Sequence, residues 1–304
     1  MSLSTIQLAS ASVADVAQAQ VQTRRLARRH YENFSVVSML LPRHLRQDFC
    51  NIYAFCRVAD DLGDETGDRE QSLRLLADFR RQTLDCFAGK AKTAVFVALG
   101  GTIARHQLPP APFLDLIDAF EQDQRVLRYD TFEQLLDYCR RSANPVGRLV
   151  LYLCGYRDEQ RQLLSDQTCS ALQLANFWQD VRRDKLDRNR IYIPRESMQR
   201  FGVSEEQIGR GICDDPFRKL MRFEVDRTAA MFQRGEALLP LLRPQVRMQI
   251  SLFSRGGRLV LAAIRRQGYD TLSRRPALSK WQKGGLIAQA LAAMAGRLLA
   301  GGRP

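Results

Sequence analysis

The stretch that most constrains this chain is 175–194, ANFWQDVRRDKLDRNRIYIP, which has no glycine at all and no proline before Pro194. Nothing in it interrupts a helix. Asn176, Asp180 and Asp184 recur every four residues, and four helical residues advance by about 400°, so the three side chains leave nearly one face. They form a ladder of oxygen ligands. Arg182, Arg183, Lys185, Arg188 and Arg190 surround Asp184 and Asp187. Oxygen ligands interleaved with cations suit an anionic ligand such as a phosphate ester, held through metal and by direct ion pairs. The competing reading is a solvated helix laced with weak i, i+4 pairs, the commoner use of such a pattern.

A second acidic cluster shifts the balance. Residues 60–65 read DDLGDE, with Asp60 and Asp64 again four apart. The run before them places Phe49, Ile52, Tyr53 and Cys56 on one apolar stripe, so the acids close a buried helix. Four acids at a helix C-terminus repel one another and oppose the helix dipole, which favours an arriving cation. Two carboxylate ladders on different helices, facing each other across a cavity, would hold several Mg²⁺ ions against one diphosphate.

At these residues the chain resembles the head-to-head trans-prenyl synthases, that is, squalene, phytoene and dehydrosqualene synthases. YAFCRVADDLGDE (53–65) looks like that family's first Asp-rich motif, and ANFWQDVRRDKLDRNRIYIP looks like its second, including the RIYIP tail. ENFSVVSMLLPRHLR (32–46) and YCRRSANPVGRLVL (138–151) look most like the hydroxysqualene synthases of bacterial hopanoid pathways. The resemblance implies an all-α isoprenoid-synthase bundle around a central cavity, with Asp60, Asp64, Asn176, Asp180 and Asp184 as Mg²⁺ ligands. It also implies that Asn33 and Ser35 line the diphosphate pocket, where a helix cap followed by core is the alternative, and that Gln173 reaches the pocket one turn before Asn176.

The rest of the chain fits one helical domain over 24–304, because no Gly, Ser or Pro-rich linker divides it. Residues 1–23 carry one Asp, no Lys or Arg and no long apolar run, which predicts a frayed, disordered start and excludes a secretory signal. Helices are expected over about 70–87, with Leu73, Leu76, Phe79 and Leu84 inward, and over 113–128, with Asp115, Asp118, Glu121 and Asp123 facing solvent. Thr131 with Gln134 reads as a capping box. Asn144-Pro145 predicts a break that leaves backbone groups beside Arg140, Arg141 and Arg148, a second cation source. A loop is expected over 209–216 and long helices over 217–239 and 244–266. The last apolar run, 284–296, is shorter than the about 20 residues of a spanning helix. Seven cysteines with no CxxC pair read as buried thiols in a reducing, cytoplasmic setting, and three scattered histidines exclude a zinc site. A net charge of +13 without a nucleic-acid motif points to diphosphates and to the anionic inner face of a membrane.

For the chemistry, Mg²⁺ helped by Arg57 and the tail residues Arg190 and Tyr192 would drive ionisation of an allylic diphosphate. The carbocation needs electron-rich walls, for which Phe34, Tyr53, Phe177 and Trp178 are candidates. No GxGxxG follows a strand, so no NADPH is expected. Many relatives carry a tyrosine just before a Val-Ala-Gly run, where this chain reads Arg140-Arg141-Ser142-Ala143-Asn144, with Tyr138 about a turn away. A second pocket tyrosine gives way near Gly257. These departures favour hydration of presqualene diphosphate over condensation of two farnesyl diphosphates. A noncatalytic lipid- or polyphosphate-binding protein is the reading from another class.

Overall fold

The computed structural model describes residues 15–29 and 42–277. Its helices are α1 (Val16–Arg29), α2 (Arg46–Asp64), α3 (Arg69–Phe87), α4 (Ala94–His106), α5 (Ala111–Asp123), α6 (Phe132–Ser142), α7 (Asn144–Leu153), α8 (Glu159–Arg188), α9 (Arg195–Phe201), α10 (Glu205–Arg210), α11 (Asp215–Gly235) and α12 (Pro244–Arg266). Among the described residues there is no strand, only a single parallel bridge between Arg128 and Ile191. The expected all-α class holds. The backbone gathers into two compact units, Met1–Val126 with Arg140–Gln162, and Leu127–Cys139 with Leu163–Pro304.

In the first unit α2 lies against α1, α3, α4, α5 and α7. Its Phe55 is fully buried and meets Phe79 and Phe113 with ring centroids 5.0 Å apart, tilted against the first and edge-on to the second, geometries that aromatic quadrupoles favour. Polar groups inside this core are paired. Asn51 donates to Ala98 O and Thr102 Oγ1, both at 3.0 Å, and accepts from Thr23 and Gln47 at 2.7 Å. That network ties α1 to α2 and α4, and it corrects the expected frayed start: from Val16 the chain is helical, with Asp15 accepting from Ala17 N and with Ala19, Thr23 and Leu26 buried. A segment poor in charge is here an apolar helix face covered by its neighbours.

Two further expectations are corrected in this unit. Leu84 is 51% exposed, because the buried stripe of α3 runs through Leu76, Phe79, Thr83 and Cys86. The acids of α5 are not a solvated row: Asp118 and Glu121 grip Arg80 at 2.6 and 3.1 Å, and Asp123 is buried.

In the second unit the buried side of α8 carries Trp178, whose indole donates to Thr228 Oγ1 of α11 at 2.8 Å. Gly235 of α11 stands where a Cβ would lie 2.2 Å from Thr168 Oγ1 and 3.1 Å from Thr168 N, a backbone approach only glycine permits. Thr131 caps α6 as its spacing predicts, accepting from Gln134 N at 3.2 Å, while the Gln134 side chain reaches back to Asp130 N at 2.8 Å. The stretch expected to loop over 209–216 is partly helical, since Ser204 caps α10 by accepting from Gln207 N, and Gly211 (φ +73°) ends it.

Candidate active site

The first acidic motif closes α2. Asp60 and Asp64 follow each other by one turn at the helix end, as their spacing requires. Arg57, a turn earlier, is held by acids of its own neighbourhood: it pairs with Asp60 at 3.1 Å, with Glu65 at 3.0 Å and with buried Asp61. Burial alone would lower the Arg57 guanidinium, but the charges of Asp60, Asp61 and Glu65 outweigh it and hold it above its ordinary range. Burial raises the Tyr53 phenol, with Arg57 pulling the other way, so Tyr53 carries its proton at neutral pH. Gly63 lies inside α2, packed on Phe120 and with its carbonyl accepting from Gln124 at 2.8 Å. The exit turn is at Gly67 (φ +71°).

The second motif lies along the last turns of α8, with Asn176 exposed and Gln173, Asp180 and Asp184 half-buried. Phe177, Trp178 and Val181 turn inward between them. Burial pushes the Asp184 carboxyl up to about 7, and the charge of Asp180 adds to this, against the pull of Arg188, Arg190 and Arg183. Added positive charge is favourable at such a pair. Among the described residues no three acidic, His or Cys side chains converge. Each ladder instead holds a pair of carboxylates, a number that could ligate a Mg²⁺ ion if water and phosphate oxygens completed its shell.

Beyond α8 the RIYIP tail folds back. Asn189 turns the chain with φ +51°, and its side chain accepts from Lys185 at 2.7 Å and from Arg128 at 3.1 Å. Arg128 forks onto Glu205 through two 2.7 Å contacts, while Ile191 N donates to Leu127 O at 3.0 Å. This clamp brings Tyr192 onto Phe177, with ring centroids 3.6 Å apart and planes within 7°. Tyr138 follows at 6.0 Å from Tyr192, and Tyr129 at 5.5 Å from Tyr138. Tyr138, Tyr192 and Phe177 therefore meet in one buried aromatic column. Trp178 does not join it: fully buried and bonded to Thr228, it is core, which corrects its candidacy as a cation wall. Arg190 is buried at the turn, its amide bonded to Asp184 O at 3.0 Å.

The helix breaks where Pro145 predicts, with Ala143 (φ −123°) between α6 and α7. Arg140 is exposed, and Arg141 and Arg148 are half-buried. All three act on Asp115, whose carboxyl burial raises and these arginines pull down. Asp115 is thus half-buried within the influence of these arginines, not the solvent-facing acid expected. At Gly257 a Cβ would stand 2.4 Å from Phe232 Cζ and 2.8 Å from Leu172 Cδ2, so a larger residue there requires these two side chains to shift. Asn33, Phe34, Ser35 and the 284–296 run lie outside the described residues.

Spacing could not reveal Arg275, which forks onto Asp180 with contacts of 2.5 and 2.9 Å from 95 residues away. Nor could it reveal the Arg128–Glu205 clamp, 77 residues apart, for which no periodic signal exists.

The squalene/phytoene synthase family profile matches residues 27–282. The 15-cis-phytoene synthase of Synechococcus elongatus is 30% identical over 286 residues, 90% of this chain and 92% of that protein. The hydroxysqualene synthase of Sinorhizobium fredii is 33% identical over 224 residues, 73% of this chain and 75% of that one. The crystal structure of squalene synthase HpnC from Alicyclobacillus acidocaldarius matches with a TM-score of 0.80 and 47% identity, covering 86% of this chain and 99% of that chain. A profile spanning most of the chain and relatives matched along nearly all of it leave one conclusion: this all-α protein is an enzyme of the squalene/phytoene synthase family.

Proposed function

We propose that the enzyme ionises presqualene diphosphate and captures the rearranged carbocation with water, giving hydroxysqualene and diphosphate. The C–O bond breaks heterolytically, its electron pair leaves on diphosphate, a water oxygen bonds to carbon, and that water loses a proton. No reductant enters the balance, so NADPH is not required. Bound by Asp60 and Asp64 on α2 and by Asn176, Asp180 and Asp184 on α8, several Mg²⁺ ions would supply Lewis-acid neutralisation of the leaving group. Arg140, Arg141 and Arg148 would add fixed positive charge for diphosphate, with Asn33, Ser35, Arg57, Gln173 and Arg190 as further contacts. The Phe177–Tyr192–Tyr138 column offers electron-rich faces, each worth about 0.5 to 2 kcal/mol against a cation, and Tyr53 is a protonated donor beside the first ladder.

The feature that carries this reading is the Arg140-Arg141 pair, in a motif where the resemblance to condensing synthases implies a tyrosine. Arginine holds its proton at working pH and cannot take the one lost when two farnesyl units close a cyclopropane. The likeness to named hydroxysqualene synthases supports it as well. Condensation of two prenyl diphosphates is the second reading, favoured by the long match to phytoene synthases. Incubating purified protein and Mg²⁺ separately with farnesyl diphosphate and presqualene diphosphate decides between them: hydration predicts turnover of the second alone. We further propose a cytoplasmic enzyme that touches anionic membrane reversibly; among the described residues no helix is long and apolar enough to cross one.

A further inference from the structure

We infer that Arg275 is a built-in rival for the metal site: its guanidinium competes with an arriving divalent cation for Asp180 and so sets the cation concentration at which the second ladder loads. This rests on the reading of Asp180 and Asp184 as metal ligands. After α12 the chain turns at Gly268 (φ +62°) and Tyr269 (φ +63°), and the Asp270 carboxylate fixes the turn by accepting from Leu272 N at 3.2 Å and Ser273 N at 2.9 Å. The segment that follows lies along α8, with Arg182 donating to Leu272 O at 3.2 Å and Gln179 donating to Pro276 O at 2.5 Å. Thr271 and Leu272 are buried. The backbone around Arg275 is thus anchored on both sides. Its guanidinium takes both oxygens of Asp180, Nε to Oδ1 at 2.5 Å and Nη2 to Oδ2 at 2.9 Å.

A planar fork on a carboxylate leaves a metal ion no oxygen that is not already shared. The Arg275 side chain is 52% exposed and that of Asp180 16%, so the arginine can swing into water while the anchored backbone stays. A merely structural tether would look the same in the folded protein, but it would not alter cation affinity.

The test uses the full-length protein, with Mn²⁺ as probe and free Mn²⁺ read by electron paramagnetic resonance. Arg275→Gln should bind Mn²⁺ about two- to fivefold more tightly than wild type, the range an exposed ion pair allows. Arg274→Gln, with the same loss of charge one residue away, should leave affinity unchanged, and Arg275→Lys, a cation without the fork, should fall between. A double-mutant cycle of Arg275→Gln with Asp180→Asn, by urea unfolding in chelator, should show favourable coupling. Wild-type binding that Arg275→Gln leaves equal or weakens would overturn the inference while sparing the metal site, and so would zero coupling. No Mn²⁺ binding to either wild type or Arg275→Gln would overturn both.

Discussion

Asp180 and Trp178 stand two positions apart on α8 in opposite surroundings, one paired with Arg275 and the other fully buried, which a substitution at each should separate. Asp180 and, on α2, Asp60 are partly exposed carboxylates with little packing to lose. Asp60→Asn or Asp180→Asn should therefore lower turnover by at least about a hundredfold, since even groups supporting a metal ligand are worth tens-fold, while circular dichroism keeps the wild-type helicity. Near-normal turnover in either variant would remove that residue from the ligand set. Trp178 is fully buried and hydrogen-bonded to Thr228, so Trp178→Ala should cost about 3 to 5 kcal/mol in urea unfolding. The four-residue recurrence of Asn176, Asp180 and Asp184 is legible in the sequence because helix geometry alone dictates it. The choice between Phe177 and Trp178 is not legible, because neighbouring aromatics differ only in what distant chain covers them: Tyr192 for one, Thr228 for the other.

At the scale of elements, local rules served where local physics decides. The break at Pro145, the Thr131 cap and the end of α12 before Gly268 all follow from backbone chemistry that a few residues contain. Long-range partners decided the rest, as when Thr23 meets Asn51 and turns an expected frayed start into α1. The exit from α8 is held in the same way, by Arg128 on Glu205. That hydrogen bond lowers the Glu205 carboxyl, with burial opposing and the charges of Arg128 and Lys185 reinforcing it. A depressed folded value means stability that is present above the unfolded glutamate range near pH 4.3 and lost as pH falls through the folded value. Glu205→Gln should thus cost about 0.5 to 1 kcal/mol at pH 7, discounted for exposure, and converge on wild type near pH 3. An equal penalty at both pH values would show that the clamp does not depend on charge.

For the molecule as a whole, the charge balance of +13 bears on where the enzyme works. The proposed product is a long, almost wholly apolar alcohol, and a basic surface near anionic lipid gains about 1 kcal/mol per Lys or Arg within a Debye length. Sedimentation with phosphatidylserine-containing vesicles should show binding at low salt that fades by a few hundred millimolar; absence of binding at low salt would mean that product leaves by another route. The family was legible in two acidic motifs because both their residue types and their four-residue spacing stand in the sequence itself. The reaction was less so, because in the proposed reading it turns on residues such as Arg140 and Arg141, which share no periodic pattern with the two acidic motifs. The most direct test supplies presqualene diphosphate with Mg²⁺ in ¹⁸O-labelled water, without NADPH, and follows the alcohol by mass spectrometry. Hydration predicts hydroxysqualene carrying the label; unlabelled or no alcohol, together with presqualene diphosphate formed efficiently from farnesyl diphosphate alone, would contradict it.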